Sequence, residues 1–137
     1  MVTVLVLVVI FVAVAVLAGR HTSGEAGGRI RQDHEAPPGR GQTFATIDVW
    51  LGTVAGHEVV VYAGAKTLPG TGTAVRSELL LYRPPSEGHA PVFEGAFAPP
   101  GGGREPLRIT AAHGDVLTVE ARGGHALRLD VATRRFT

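Results

Sequence analysis

Three successive segments near the C-terminus alternate apolar and polar residues with a period of two. In residues 106–112, Leu107, Ile109 and Ala111 fall on one side and Arg108 and Thr110 on the other. In 116–122, Leu117, Val119 and Ala121 alternate with Thr118, Glu120 and Arg122. In 126–131, Leu127, Leu129 and Val131 alternate with Arg128 and Asp130. Side chains of a strand point to opposite faces in turn, so this pattern marks strands with one dry face and one wet face. Glycine-containing breaks between the segments predict an antiparallel meander.

Matching the apolar faces of neighbouring strands sets an expected register. Ile109 opposes Val119, and Val119 opposes Leu129, with three-residue loops at His113-Gly114-Asp115 and Gly123-Gly124-His125. A two-residue loop would set Ile109 against Thr118 and bury the wrong face of one strand. Arg108, Glu120 and Arg128 then share a row on the wet side, where each exposed pair contributes about a few tenths of a kcal/mol.

Upstream, strands are predicted over 44–51, 58–63, 75–83 and, more weakly patterned, 92–97. In the first, Ala45, Ile47, Val49 and Leu51 form one side, and Phe44, Thr46, Asp48 and Trp50 the other. Gly and Pro interrupt the windows a helix would need in this part of the chain. Seven strands within 43–137 predict an all-β fold, a small antiparallel sandwich or barrel. Segments beginning at Gly56, Gly114 and Gly124 echo one another, which repeated turn-then-strand grammar explains better than a true repeat.

The first eighteen residues, MVTVLVLVVIFVAVAVLA, carry no charge. A bilayer core needs about 20 apolar residues in a helix, so residues 1–19 are expected to form one transmembrane helix. A secretory signal peptide cleaved after Ala18 is the alternative. It has small residues at the cleavage position but lacks a positively charged n-region, and the apolar run is long for one. Arg20, Arg29, Arg31 and Arg40 follow the run, and no Lys or Arg precedes it. The positive-inside rule then favours a cytoplasmic C-terminal domain. Residues 20–42 are rich in Gly, Pro and mixed charge, with Ile30 their one sizeable aliphatic side chain. They are expected to form a flexible linker spanning roughly 25–30 Å as a coil.

Thirteen basic against twelve acidic residues leave a net charge of +1, which gives no basic face for nucleic acid. The chain has no Cys, which removes disulfides, thiolate ligands and a Cys nucleophile. Four of the six His, at 57, 89, 113 and 125, adjoin a Gly in expected turns, with no His-x-His or His-x3-His spacing that would suggest a metal. Gly64-Ala65-Lys66-Thr67 lacks the glycines and the following helix of a phosphate loop. Ser23, Ser77 and Ser86 lack a nucleophile elbow. Asp48 and Glu58 are expected on solvated faces, although a hairpin could bring them together as a carboxylate pair. No catalytic, cofactor-binding or metal residue is therefore nominated. Phe44 and Trp50 are the candidate contact surface: an aromatic pair on the polar side of a strand either packs under a second sheet or meets a partner.

Residues 61–67 (VYAGAKT), together with Gly114–Val119 and Leu129–Phe136, resemble segments of uncharacterised small membrane-anchored or secreted β-rich proteins of GC-rich bacteria. The resemblance implies no activity. The expectation is a membrane-tethered, non-enzymatic β module, bound to the bilayer through 1–19 and to a protein partner. A secreted binding or inhibitor domain is the alternative.

Overall fold

The computed structural model describes residues 28–137, which form an all-β structure of two antiparallel sheets. The apolar run at 1–19, expected as a transmembrane helix or signal segment, lies outside the described residues. Among the described residues no helix is long and apolar enough to cross a membrane.

The first sheet has five strands in chain order: β1 (Arg29–Gln32), β2 (Phe44–Val54), β3 (His57–Thr67), β4 (Ala74–Arg83) and β5 (Val92–Phe97). The second has four: β6 (Leu107–His113), β7 (Val116–Ala121), β8 (Leu127–Asp130) and β9 (Arg135–Phe136). Nine strands replace the seven expected. The two additions are β1 and β9, which carry one sizeable apolar side chain each, Ile30 and Phe136, too few to mark a dry face.

β1 corrects the expected linker over 28–42; its first residues, 20–27, lie outside the described residues. Residues 29–32 pair with β2, and Ile30 packs against the core. The chain then runs as a strap, residues 33–43, over the outer face of the first sheet. The Asp33 amide donates to the Ile47 carbonyl, Pro37 is buried, and the Thr67 hydroxyl donates to the Gln42 carbonyl. The polar composition that suggested a coil is that of a covering segment held by hydrogen bonds.

The main core lies between the sheets. Trp50, Val61, Ala63, Leu79 and Leu81 face Leu107, Ile109, Leu117, Val119 and Leu129 across it. A second cluster, Phe44, Val49, Val60, Leu80 and Tyr82, forms on the other side of the first sheet.

The C-terminal meander keeps its expected dry face but changes register. Ile109 does oppose Val119. However, His113 pairs with Val116, leaving a two-residue turn at Gly114-Asp115, with Gly114 at φ 58°. A bulge at Thr110 inserts the residue that restores the faces, and it turns Ala112 instead of Ala111 toward the core. Val119 opposes Leu127, not Leu129, so the connection from Val119 to its cross-strand partner is two residues shorter than expected. A shift of two preserves every face, so the apolar pattern cannot detect it. Arg128 consequently opposes Thr118, and the expected charge row stops at the Arg108 and Glu120 pair.

The hairpin between β2 and β3 turns at Ala55-Gly56, both with positive φ, 52° and 80°. This is the backbone of a primed two-residue turn, whose twist matches the strands. At Gly64 the two strands approach so closely that a Cβ would land on the Ala45 carbonyl oxygen. The loop expected from residue 64 is strand as far as Thr67.

Candidate functional site

Phe44 and Trp50 do not form a contact surface. Phe44 is 5% exposed and Trp50 0%. Nor do they share a face. A bulge between Thr46 and Asp48 reverses the alternation of β2, so Phe44 joins the outer cluster and Trp50 the core between the sheets. The core reading of this pair prevails, because two sheets and a strap leave no wet side along most of β2.

The same bulge carries Asp48 inward, correcting its expected solvated position. Asp48 is 4% exposed, and its Oδ2 accepts a 2.9 Å hydrogen bond from the Ile109 amide. Arg108 Nε lies 3.7 Å from the same oxygen. β6 is an edge strand, and this carboxylate satisfies one of its free amides and ties the two sheets together. Glu58 is exposed and opposes Thr53, well along the hairpin from Asp48, so the two carboxylates do not meet. The other buried carboxylate, Glu78, pairs with Arg76 at 2.6 Å. Among the described residues two buried side-chain polar atoms have no partner, the Thr46 hydroxyl and the Trp50 indole nitrogen.

An aromatic row crosses the outer face of β3, β4 and β5 and reaches solvent at β5. Tyr62 and Tyr82 meet edge to face at 5.4 Å between ring centroids. Tyr82 meets Phe93, its cross-strand partner, at 5.3 Å. The strap completes the row. The Tyr82 hydroxyl donates to the Pro38 carbonyl at 2.7 Å, and the Arg40 guanidinium sits 4.4 Å above the Phe93 ring. Burial, then the Glu35 carboxylate and Tyr82, hold the Tyr62 phenol above its ordinary pKa of 10.0. At the end of the row Phe93 is 45% exposed and Val92 51%. Beside them Glu94, the bulged residue of β5, pairs with Arg83 at 2.9 Å. Its carbonyl accepts from Arg134, which closes part of the open edge of that strand. These residues were not nominated from sequence. The signal was the continuous apolar runs at 59–61 and 79–82, which mark strands dry on both faces and a further layer above them.

Two depressions flank the segment joining β5 to β6. One, of about 300 Å³, lies between Pro99, Leu107 and Leu127, with Arg104 and His125 at its rim. The other, about 360 Å³ and more open, is bordered by His34, Arg108 and Arg122. Glu105 belongs to both and forms the ridge between them.

His57, His89, His113 and His125 are exposed and scattered. His34 Nδ1 donates to the Thr46 carbonyl at 2.9 Å. Among the described residues no three His, Cys, Asp or Glu side chains stand close enough to hold a metal ion. We found no protein family, individual protein or solved structure that matches this chain.

Proposed function

We propose that this chain is a membrane-tethered, non-enzymatic β domain that binds a protein partner at the bilayer surface. The observation that carries the reading is the end of the aromatic row: Phe93 and Val92 stand in solvent with Arg40 stacked on Phe93. Exposed aromatic and arginine side chains next to a rigid scaffold are the anchors that protein interfaces use. The partner is a protein surface offering an apolar side chain to Phe93, with a carboxylate beside it for Arg40.

The anchor in this reading is the uncharged run at 1–19, with the domain on the cytoplasmic side. Nine residues, 20–28, separate that run from β1. At about 3.3–3.6 Å per residue they reach at most about 30 Å, so the domain works within one domain diameter of the bilayer.

The test is photocrosslinking in native membranes from a probe at position 93, with position 128 on the second sheet as control. A crosslinked protein that requires the probe at 93 and disappears with Arg40→Ala supports the reading. Equal crosslinking from both positions, or none from 93, sinks it. Retention in the membrane pellet after carbonate extraction supports the tether. A mature chain beginning at Gly19 selects the secreted domain instead.

A further inference from the structure

The cavity between Pro99, Leu107 and Leu127 sits at one end of the core, and both of its rims are held. On one side the segment between β5 and β6 is pinned to β4: the Ser77 amide donates to the Gly103 carbonyl at 2.8 Å, and the Ser77 hydroxyl donates to the Glu105 carbonyl. Within that segment the Gly102 amide donates to the Pro99 carbonyl at 3.0 Å. On the other side the turn after β7 closes through the Gly124 amide and the Ala121 carbonyl at 2.9 Å, and it carries His125. A pocket with fixed walls takes a ligand with little ordering cost.

Its chemistry divides in two. The floor is apolar, with Leu107 only 1% exposed, and Pro99 and Leu127 stand against it. The rim is polar. The Ser77 hydroxyl is already committed, and Glu105 forms the ridge shared with the neighbouring groove. That leaves Arg104 and His125 as the groups available to a ligand. Among the described residues Arg104 has no ion-pair partner, unlike Arg76, Arg83 and Arg108. An unpaired guanidinium beside an apolar cleft matches a ligand with an apolar body and a carboxylate head, which Arg binds by paired hydrogen bonds.

We propose that this cavity binds a small monocarboxylic acid whose short acyl chain or single aromatic ring fills the cleft, with its carboxylate on Arg104. At about 300 Å³ the cavity is at the small end of ligand sites, which suits such a body and excludes a long lipid tail. The proposal is independent of the anchor and of the aromatic row, which lie elsewhere on the chain.

The test uses the full chain in lipid nanodiscs with methyl-labelled leucines, titrated with hexanoate and, separately, with hexan-1-ol. Hexanoate is expected to give saturable shifts of the Leu107 and Leu127 methyls. Hexan-1-ol should bind about tenfold more weakly, since it lacks the charge-assisted contact. Arg104→Gln, an exposed substitution, should weaken hexanoate about tenfold and leave hexan-1-ol unchanged. Absence of saturable shifts at those two methyls overturns the proposal. So do equal affinities for acid and alcohol, hexanoate binding unchanged in Arg104→Gln, or equal shifts at the exposed Leu68, outside the cavity lining, which would report simple partitioning.

Discussion

The two sheets of this protein bury their side chains in different ways. The four-stranded sheet has one dry face, with Leu107, Ile109, Leu117, Val119 and Leu129 inside and Arg108, Thr110 and Arg128 outside. The central strands of the five-stranded sheet, β2 to β4, are dry on both faces along much of their length: the other sheet covers one, and the strap over 33–43 helps cover the other. The difference explains why alternation is a faithful guide in one and a poor one in the other. Period two records a contrast between protein and water, and where both faces meet protein the contrast disappears.

The comparison can be broken most directly at Trp50. Trp50→Ala should cost about 3–5 kcal/mol in chemical denaturation, as loss of a large core side chain does. A change below about 1 kcal/mol would place the residue on a surface after all. Leu80, on the face closed by the strap, is as buried as Leu79 on the face closed by the second sheet. Leu80→Ala and Leu79→Ala should therefore each cost about 2–5 kcal/mol. A much smaller loss at Leu80 would mean that the strap does not seal its face.

The link between the sheets is tested at Asp48. Asp48→Ala leaves the Ile109 amide without its acceptor and should cost about 1–3 kcal/mol. Arg128→Ala, on the wet face of the second sheet, should stay within about 0.5 kcal/mol. Thr46→Val replaces an orphaned hydroxyl by a methyl group in the same space, and should be neutral or stabilising by up to about 1 kcal/mol.

The smallest expected effect is at alkaline pH. Tyr62 keeps its proton more tightly in the fold than in the unfolded chain, chiefly because burial opposes the phenolate. Its contribution is complete below the ordinary value of 10.0 and is lost as the pH rises through the higher folded value. Tyr62→Phe should flatten the fall in melting temperature above about pH 10, where tyrosines titrate. An unchanged slope would show that the ring is wetter than its position under the strap implies.

Much of the architecture was legible in the residues, including the all-β character, the antiparallel meander, and β5 over Val92–Phe97 to the residue. Three features were not, and each has a physical cause. Bulges at Ile47 and Thr110 reverse the alternation without leaving a composition signal. A register shift of two residues between β7 and β8 leaves every face unchanged. The polar segment before β2 reads as a tether because its stabilising contacts, Tyr82 to Pro38 and Arg40 to Phe93, join residues some forty to fifty positions apart. The aromatic row escaped for the same reason: Tyr62, Tyr82 and Phe93 lie on three strands and become neighbours only through pairing.

The order of the residues alone determined the presence of the seven main strands, β2 to β8, and which side of the C-terminal meander is dry, because those depend on local periodicity and on where Gly and Pro allow a turn. Tertiary structure decided which side of β2 is inside, that Asp48 bridges two sheets, and that the aromatic row is assembled at all. Those outcomes depend on what lies opposite each face, and a face is dry only once another layer has closed over it.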